Sequence, residues 1–441
     1  MRLATNIYGL LLLTALTACE SFPWDTASKT PPLPGERHEV LPRQIEKATV
    51  SAQTSHSNAN LPLAAPWYAD YSGIEAQYGQ PDNHQIHGFS APRKIWLSLI
   101  HQHVPPLFTA NDLVTVSSAG TVYAYELAAM DGSNNNIKPR WNYDLFKAGV
   151  RKDNIRAGGM AVSGETLFIT AGSSVVTALS MANGVPLWVR DVLSPLHAAP
   201  LLYQDAVIVL GMDNHLYALH RLTGELLWMH RASEEAVVMA GHTQLVMHNG
   251  VLIVPYSNGQ LTGINPATGQ ELWALNLAYT RFATTHIQLN DIGTTPAIHG
   301  NSLIVATNAG VLYGIDLRNG QRLWQTGISN VHQLWVAGNY VFTLSSEQQL
   351  SALSLVNGTI QWQIVLEEKK DKSKQRQFFG PLIANNLLVI AASDGSVELR
   401  SPQDGTLTDT IRLSAPIISM PRVWQQRLWV VHPNGTLTRF E

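Results

Sequence analysis

Histidines give this chain most of its scope for chemistry: sixteen are present, and His101-x-His103 and the group His215, His220 and His230 are the tightest groupings. A zinc site needs His, Cys, Asp or Glu ligands at matched spacing, and neither grouping has a further ligand so placed. Partly exposed polar strand positions account for such histidines. The stretch from Asp205 to Asp213 lacks the alternating oxygen ligands that a hard cation requires. There is no Gly-x-Ser-x-Gly elbow for a serine nucleophile and no Gly-x-x-x-x-Gly-Lys loop for phosphate. What remains is one thiol, Cys19, the single cysteine of the chain.

Its surroundings say what that thiol is for. Arg2 precedes an apolar run from Ile7 to Leu16, which ends in Leu16-Thr17-Ala18-Cys19. A cation, a short apolar core and small residues before a cleavage point read as a secretory signal over residues 1–18. The run is shorter than the roughly 20 residues that a membrane span needs. The pattern resembles the bacterial lipobox, which implies that the thiol takes a diacylglyceryl group, the chain is cut before Cys19, and the new amine is acylated. Each buried CH₂ contributes about 0.8 kcal/mol, and one acyl chain alone is marginal, so several are needed for stable anchoring. Glu20 stands where the inner-membrane retention signal of that family places Asp, which favours an outer-membrane destination facing the periplasm. With its only cysteine lipidated, the mature protein has no disulfide and depends on packing.

Composition narrows the function classes. Of 441 residues, 45% are hydrophobic and 14% charged, and the mean hydropathy of −0.01 excludes a polytopic membrane protein. Twenty-nine basic and 32 acidic residues are spread without large blocks, so no basic field exists to displace counterions from a nucleic acid. The one dense run, residues 367–376, mixes both signs and reads as a solvated loop, with contact to anionic headgroups or to an acidic partner as the functional alternative.

From Cys19 to about residue 90 the chain is rich in Pro, Ser, Ala, Asn and Gln and has no apolar period, which predicts a tether. As a flexible coil of roughly 70 residues it would reach on the order of 45–50 Å. Trp67, Tyr68 and Tyr71 interrupt this composition, so its last third can pack on the body.

Beyond residue 90 one unit recurs: an apolar strand, a turn, an alternating strand, and a turn whose glycine is followed four positions later by tryptophan. The glycines are Gly184, Gly224, Gly269, Gly320 and Gly358, and the tryptophans Trp188, Trp228, Trp273, Trp324 and Trp362. A weaker copy carries an insertion and ends at Trp141, and another has Asp409 where tryptophan is expected. Each unit reads as a small antiparallel sheet. An eighth hairpin, Leu428 to Thr438, meets the C-terminus before its last strand, and residues 93–98, with Trp96, resemble the missing piece. Joining the two ends leaves no open sheet edge at the seam. The expectation is an all-β, eight-bladed β-propeller over residues 91–441, with about 44 residues per blade. Seven blades with a detached last hairpin is the alternative.

The Gly-x-x-x-Trp segments resemble the docking motif of the quinoprotein-like (PQQ-like) β-propeller repeat family. The resemblance implies that Trp96, Trp141, Trp188, Trp228, Trp273, Trp324 and Trp362 pack between blades, each N–H bonding a carbonyl of the next blade. Quinoprotein dehydrogenases of this fold need an adjacent cysteine pair, a calcium and a catalytic Asp; a chain with one cysteine cannot supply the pair, so neither cofactor nor enzyme activity is expected.

Lipobox, tether and disulfide-free propeller together resemble the BamB family of outer-membrane assembly lipoproteins. Leu33-Pro34-Gly35-Glu36-Arg37 and Ala65-Pro66-Trp67 are similar to α-proteobacterial versions. The resemblance implies a scaffold that docks on POTRA domains of the barrel-forming (BamA-like) subunit and assists insertion of outer-membrane proteins, with contact to unfolded clients as a further role. Two contact segments are carried over. Val237, Met239 and Gly241 keep the apolar positions of the first but lack its arginine, and Asp291, Thr294 and Thr295 belong to the second, whose second acid is replaced at Gly293. Ordinary inter-blade loops remain the alternative for both, as does a different cell-envelope scaffold for the whole chain.

Overall fold

Strands such as Ala206–Leu210 (AVIVL) are apolar at every position, a pattern that suits a sheet covered on both faces. The computed structural model describes residues 83–90, 92–97, 104–132, 135–149, 158–232, 244–277, 291–366, 376–433 and 435–440. They form eight four-stranded antiparallel sheets. Blades 1 to 7 span 107–144, 159–191, 201–231, 246–276, 297–327, 331–365 and 378–412. Blade 8 combines 422–439 with Arg93–Trp96, which pairs antiparallel with Thr436–Arg439. The fold is therefore the eight-bladed propeller, closed by strands from both ends of the chain, and the seven-bladed alternative falls.

Residues alternate between neighbours along each inner strand. In blade 3, Ala206, Ile208 and Leu210 pack with blade 4, while Val207 and Val209 pack with blade 2. Every gap of the ring is filled in this way, including blade 8 against blade 7, through Leu428 and Val430, and against blade 1, through Ile95, Leu437 and Phe108. Fourth strands such as Leu226–Arg231 have a free outer edge and expose about half of residues such as Leu227.

The tryptophans stitch these gaps from the rim. Trp141 Nε1 donates to Met181 O (2.7 Å), Trp188 to Arg221 O (2.8 Å), Trp228 to Pro266 O (3.2 Å), Trp324 to Leu355 O (2.9 Å) and Trp362 to Pro402 O (3.0 Å). Each acceptor lies three residues before the turn glycine of the next blade, and that glycine covers the ring. A Cβ added at Gly320 would meet Trp273 Cε3 at 2.8 Å, which places Trp273 in the same arrangement. Across its own sheet each indole faces a small residue: Ala124, Ala178, Ala218, Gly263, Gly314 or Ala352.

Two blades depart from the rule, and both size and charge change together. In blade 7 the register position holds exposed Asp409, and Leu399 replaces the small partner. The next blade explains the loss: the third and fourth strands of blade 8 come from opposite ends of the chain, so no turn exists there to receive an indole. In blade 8 the register position is Arg93, opposite Arg439. Trp96, expected to dock, instead pairs with Thr436 one end further along the strand and is 46% exposed. Arg93 takes its place chemically, its guanidinium donating to Asn135 Oδ1 (3.0 Å), Asp131 O (3.4 Å) and Gly132 O in the insertion of blade 1.

Candidate docking surface

In an antiparallel meander, alternate strand ends lie on opposite sides. The turns between first and second and between third and fourth strands therefore share one side of the ring, the turn face. The turns between second and third strands and the connections between blades share the other, the connection face. The segment Asp291–Pro296, between blades 4 and 5, belongs to the connection face. Val237, Met239 and Gly241 lie between blades 3 and 4, outside the described residues, as do the histidines at 101 and 103, Cys19, and the charged run up to residue 375.

The segment Asp291–Pro296 leads into blade 5 and is held along strand Ser302–Thr307. Asn308 N donates to Asp291 O (2.8 Å), Gly293 N to Ala306 O (2.9 Å), and Ala306 N to Thr294 Oγ1 (3.0 Å). Asp291 and Thr294 are only 4% and 1% exposed, so they anchor the segment, and Thr295 is the member partly open to solvent. Gly293 stands where the resemblance places a second acid. A Cβ there would lie 2.2 Å from Asn308 Oδ1, so the site has no room for any side chain while Asn308 keeps its place.

Neighbouring loops on this face are tied to one another, a feature with no sequence signal beyond turn composition. Asn214, in the turn of blade 3, accepts at Oδ1 from Ser257 N (3.1 Å) and Ser257 Oγ (2.8 Å) in the corresponding turn of blade 4. The side chain of Gln244, leading into blade 4, accepts from Ala199 N (2.7 Å) in the connection between blades 2 and 3, where Thr170 Oγ1 also donates to Ala198 O (2.8 Å). His197 in this connection is buried, and burial pushes its pKa down to about 4. The rim of the ring is thus backed by loops that are fastened before any partner arrives.

His215, His220 and His230 each have their own polar partner. His215 Nδ1 lies 2.9 Å from Asp213 Oδ2, and its ring stacks on Tyr217 at 6.0 Å. His230 Nδ1 meets Tyr256 Oη at 2.7 Å, and burial lowers its pKa against the opposing pull of Glu271. Burial also raises the pKa of the Tyr256 phenol. His220 Nδ1 faces Thr223 Oγ1 (3.1 Å) on the turn face, apart from the other two. Among the described residues no three His, Cys, Asp or Glu side chains are placed to share a metal ion. The described residues thus supply no cluster of carboxylates for a resident calcium ion.

Comparison with known proteins follows the same lines. The chain is 24% identical over 362 residues to the outer membrane protein assembly factor BamB of Yersinia pestis, covering 79% of this chain and 89% of that protein. The crystal structure of BamB from Moraxella catarrhalis superposes with a TM-score of 0.65 at 18% identity, over 79% of this chain and 98% of that one. Quinohemoprotein alcohol dehydrogenase from Comamonas testosteroni superposes at 0.59 with 12% identity, over 83% of this chain and 79% of that one, which is a likeness of fold. A family model described as outer membrane protein assembly factor BamB matches residues 128–364, from the end of blade 1 through blade 6. That match takes in more than half of the sequence, and the chain belongs to the BamB family of outer membrane protein assembly factors.

Proposed function

We propose that this protein is a non-catalytic docking subunit of the machinery that assembles outer-membrane β-barrels, held to the outer membrane by lipid on Cys19 and facing the periplasm. Residues 1–18 are its signal peptide and the tether begins at Cys19. Its connection face, around Thr295 with Asp291 and Thr294 beneath, binds the POTRA domains of the barrel-forming subunit, and Val237, Met239 and Gly241 take part in the same contact. The observation that carries the reading is the family match across blades 1 to 6. The fastened loops support it physically, because a preorganised surface loses little entropy on binding. The absence of the second acid at Gly293 argues for contact through backbone and apolar groups at this segment, in place of a charge pair.

The test is co-elution of the purified, full-length protein with the POTRA region of the barrel subunit. Binding that is lost in Thr295→Arg, with thermal stability unchanged, supports the reading; no complex at concentrations of about 10 μM overturns it. The likeness of fold to a quinohemoprotein dehydrogenase motivates a second reading. Dye reduction that depends on added pyrroloquinoline quinone and calcium would select that reading over the docking subunit.

A further inference from the structure

The gap between blades 7 and 8 lacks an indole, yet it is crossed by another part of the chain. Residues 83–87 lie over the turn-face ends of the first strands of blades 6 to 8. His84 N donates to Ile383 O (2.9 Å), and Asn385 N donates to His84 O (2.8 Å). The Asn385 side chain then continues the pairing, accepting from Ile86 N (3.0 Å) and donating to Ile86 O (3.0 Å). Asn83 exchanges two bonds with Asn386, donating to its side chain (2.7 Å) and accepting from its N–H (3.1 Å). One step further, His87 N donates to Gln426 O (2.8 Å), in the equivalent turn of blade 8.

Packing follows the same path. Ile86 is 8% exposed and joins the apolar cluster that contains Leu388 and Ile390 of blade 7 and Leu428 and Val430 of blade 8. The His84 ring lies 5.6 Å from that of Trp335 in blade 6. Among the described residues one other gap has a comparable pairing, that between blades 8 and 1, where Trp96 N donates to Asn135 O (2.7 Å) and Ile137 N to Trp96 O (3.2 Å) of the blade 1 insertion, and there Arg93 stands at the docking register in place of an indole.

We propose that residues 83–87 are the latch of the blade 7–8 gap, doing there what tryptophan does in the gaps from blade 1 to blade 7. The root of the tether is then part of the ring, and its release opens the ring at one chosen place. Paired hydrogen bonds and a buried isoleucine supply both parts of a docked indole, a polar anchor and an apolar body.

Hydrogen exchange of the full-length protein, read by mass spectrometry, tests this. Asn385→Gly keeps the positive φ of 48° at this turn while deleting the side-chain bonds to Ile86. Ile86→Ser loosens the latch without touching a blade. Both variants should raise exchange about tenfold in strands 387–400 and 427–439 and leave blades 3 and 4 unchanged. Asn249→Gly, at the equivalent turn of blade 4, should raise neither. The proposal is overturned if exchange in blades 7 and 8 stays at the wild-type rate in both latch variants, or if it rises equally around the whole ring.

Discussion

Gly224 lies face-on to Trp188, the tryptophan of the preceding blade: a Cβ added to this glycine would sit 2.7 Å from the indole, and its φ of +71° already favours a residue without one. The glycine and tryptophan that recur four apart in sequence thus serve two different interfaces, one behind and one ahead. Gly224→Ala should destabilise the fold by about 2–5 kcal/mol, combining left-handed strain with overpacking. Gly164→Ala, with φ +55° and open space around it, carries the strain alone and should cost about 1–2 kcal/mol. Denaturant titrations of the two variants measure the difference.

The exchange of roles between Trp96 and Arg93 makes an opposite pair of outcomes. Arg93→Ala removes three donors to the insertion of blade 1 and should lower stability by about 1–3 kcal/mol. Trp96→Ala trims a half-exposed ring and should cost about 1 kcal/mol or less. A melt in which Trp96→Ala is the more damaging change would contradict the register assignment.

His197 sets a pH dependence whose direction is fixed. Its pKa is about 4 in the fold, against 6.5 when unfolded, because burial disfavours the imidazolium. The unfolded chain therefore binds the extra proton between these values. Stability from this group is complete above pH 6.5 and falls as pH drops toward 4, by up to about 3 kcal/mol. His84, also held near 4 by burial, acts in the same direction. Unfolding free energies from pH 7 to 4.5 should slope less steeply in His197→Gln, and an unchanged slope would refute the assignment.

On the connection face, burial separates two neighbouring threonines. Thr294→Ala removes the acceptor of the Ala306 N–H and should lower the melting temperature by a few degrees. Thr295→Arg, at a partly exposed position, should leave it unchanged while, under the proposed docking, weakening POTRA binding at least tenfold. Calorimetry and a binding titration on the same two proteins separate these effects.

On the proposed lipidation, Cys19→Ser removes both the acyl chains and the cut that follows them, so the variant should be lost from the outer-membrane fraction and run as the longer, uncut chain. Fractionation of cells followed by blotting reads the outcome directly.

How much was legible beforehand depended on whether a residue's reason lay inside its own repeat. The blades, their order and the pairing of the two chain ends follow from alternation and from turn glycines at fixed spacing. Trp141 could be placed despite the insertion before it, because its turn and strand survive. Trp96 departs from the spacing because its segment follows no turn: with no hairpin between Arg439 and Arg93, the register is set by strand pairing, and the tryptophan falls three residues past the docking position. The burial of Asp291 and Thr294 depends on a neighbouring strand, and the closeness of Gly293 to Asn308 depends on a turn fifteen residues away, so neither had a local sign. The seat of residues 83–87 is least legible of all, since asparagine-rich composition reads equally well as tether and as the polar half of a strand pair.

The parallel course of residues 83–87 along blade 7 has a mechanical consequence. Traction on the chain ahead of residue 83 would reach the disc first at Asn386, then at Asn385 and last at Gln426, dragging the strap along its own length so that its bonds share the load in shear. Blades 3 and 4, diametrically across the ring, would feel such a tug last, and a partner seated there could stay bound while the leash is jerked.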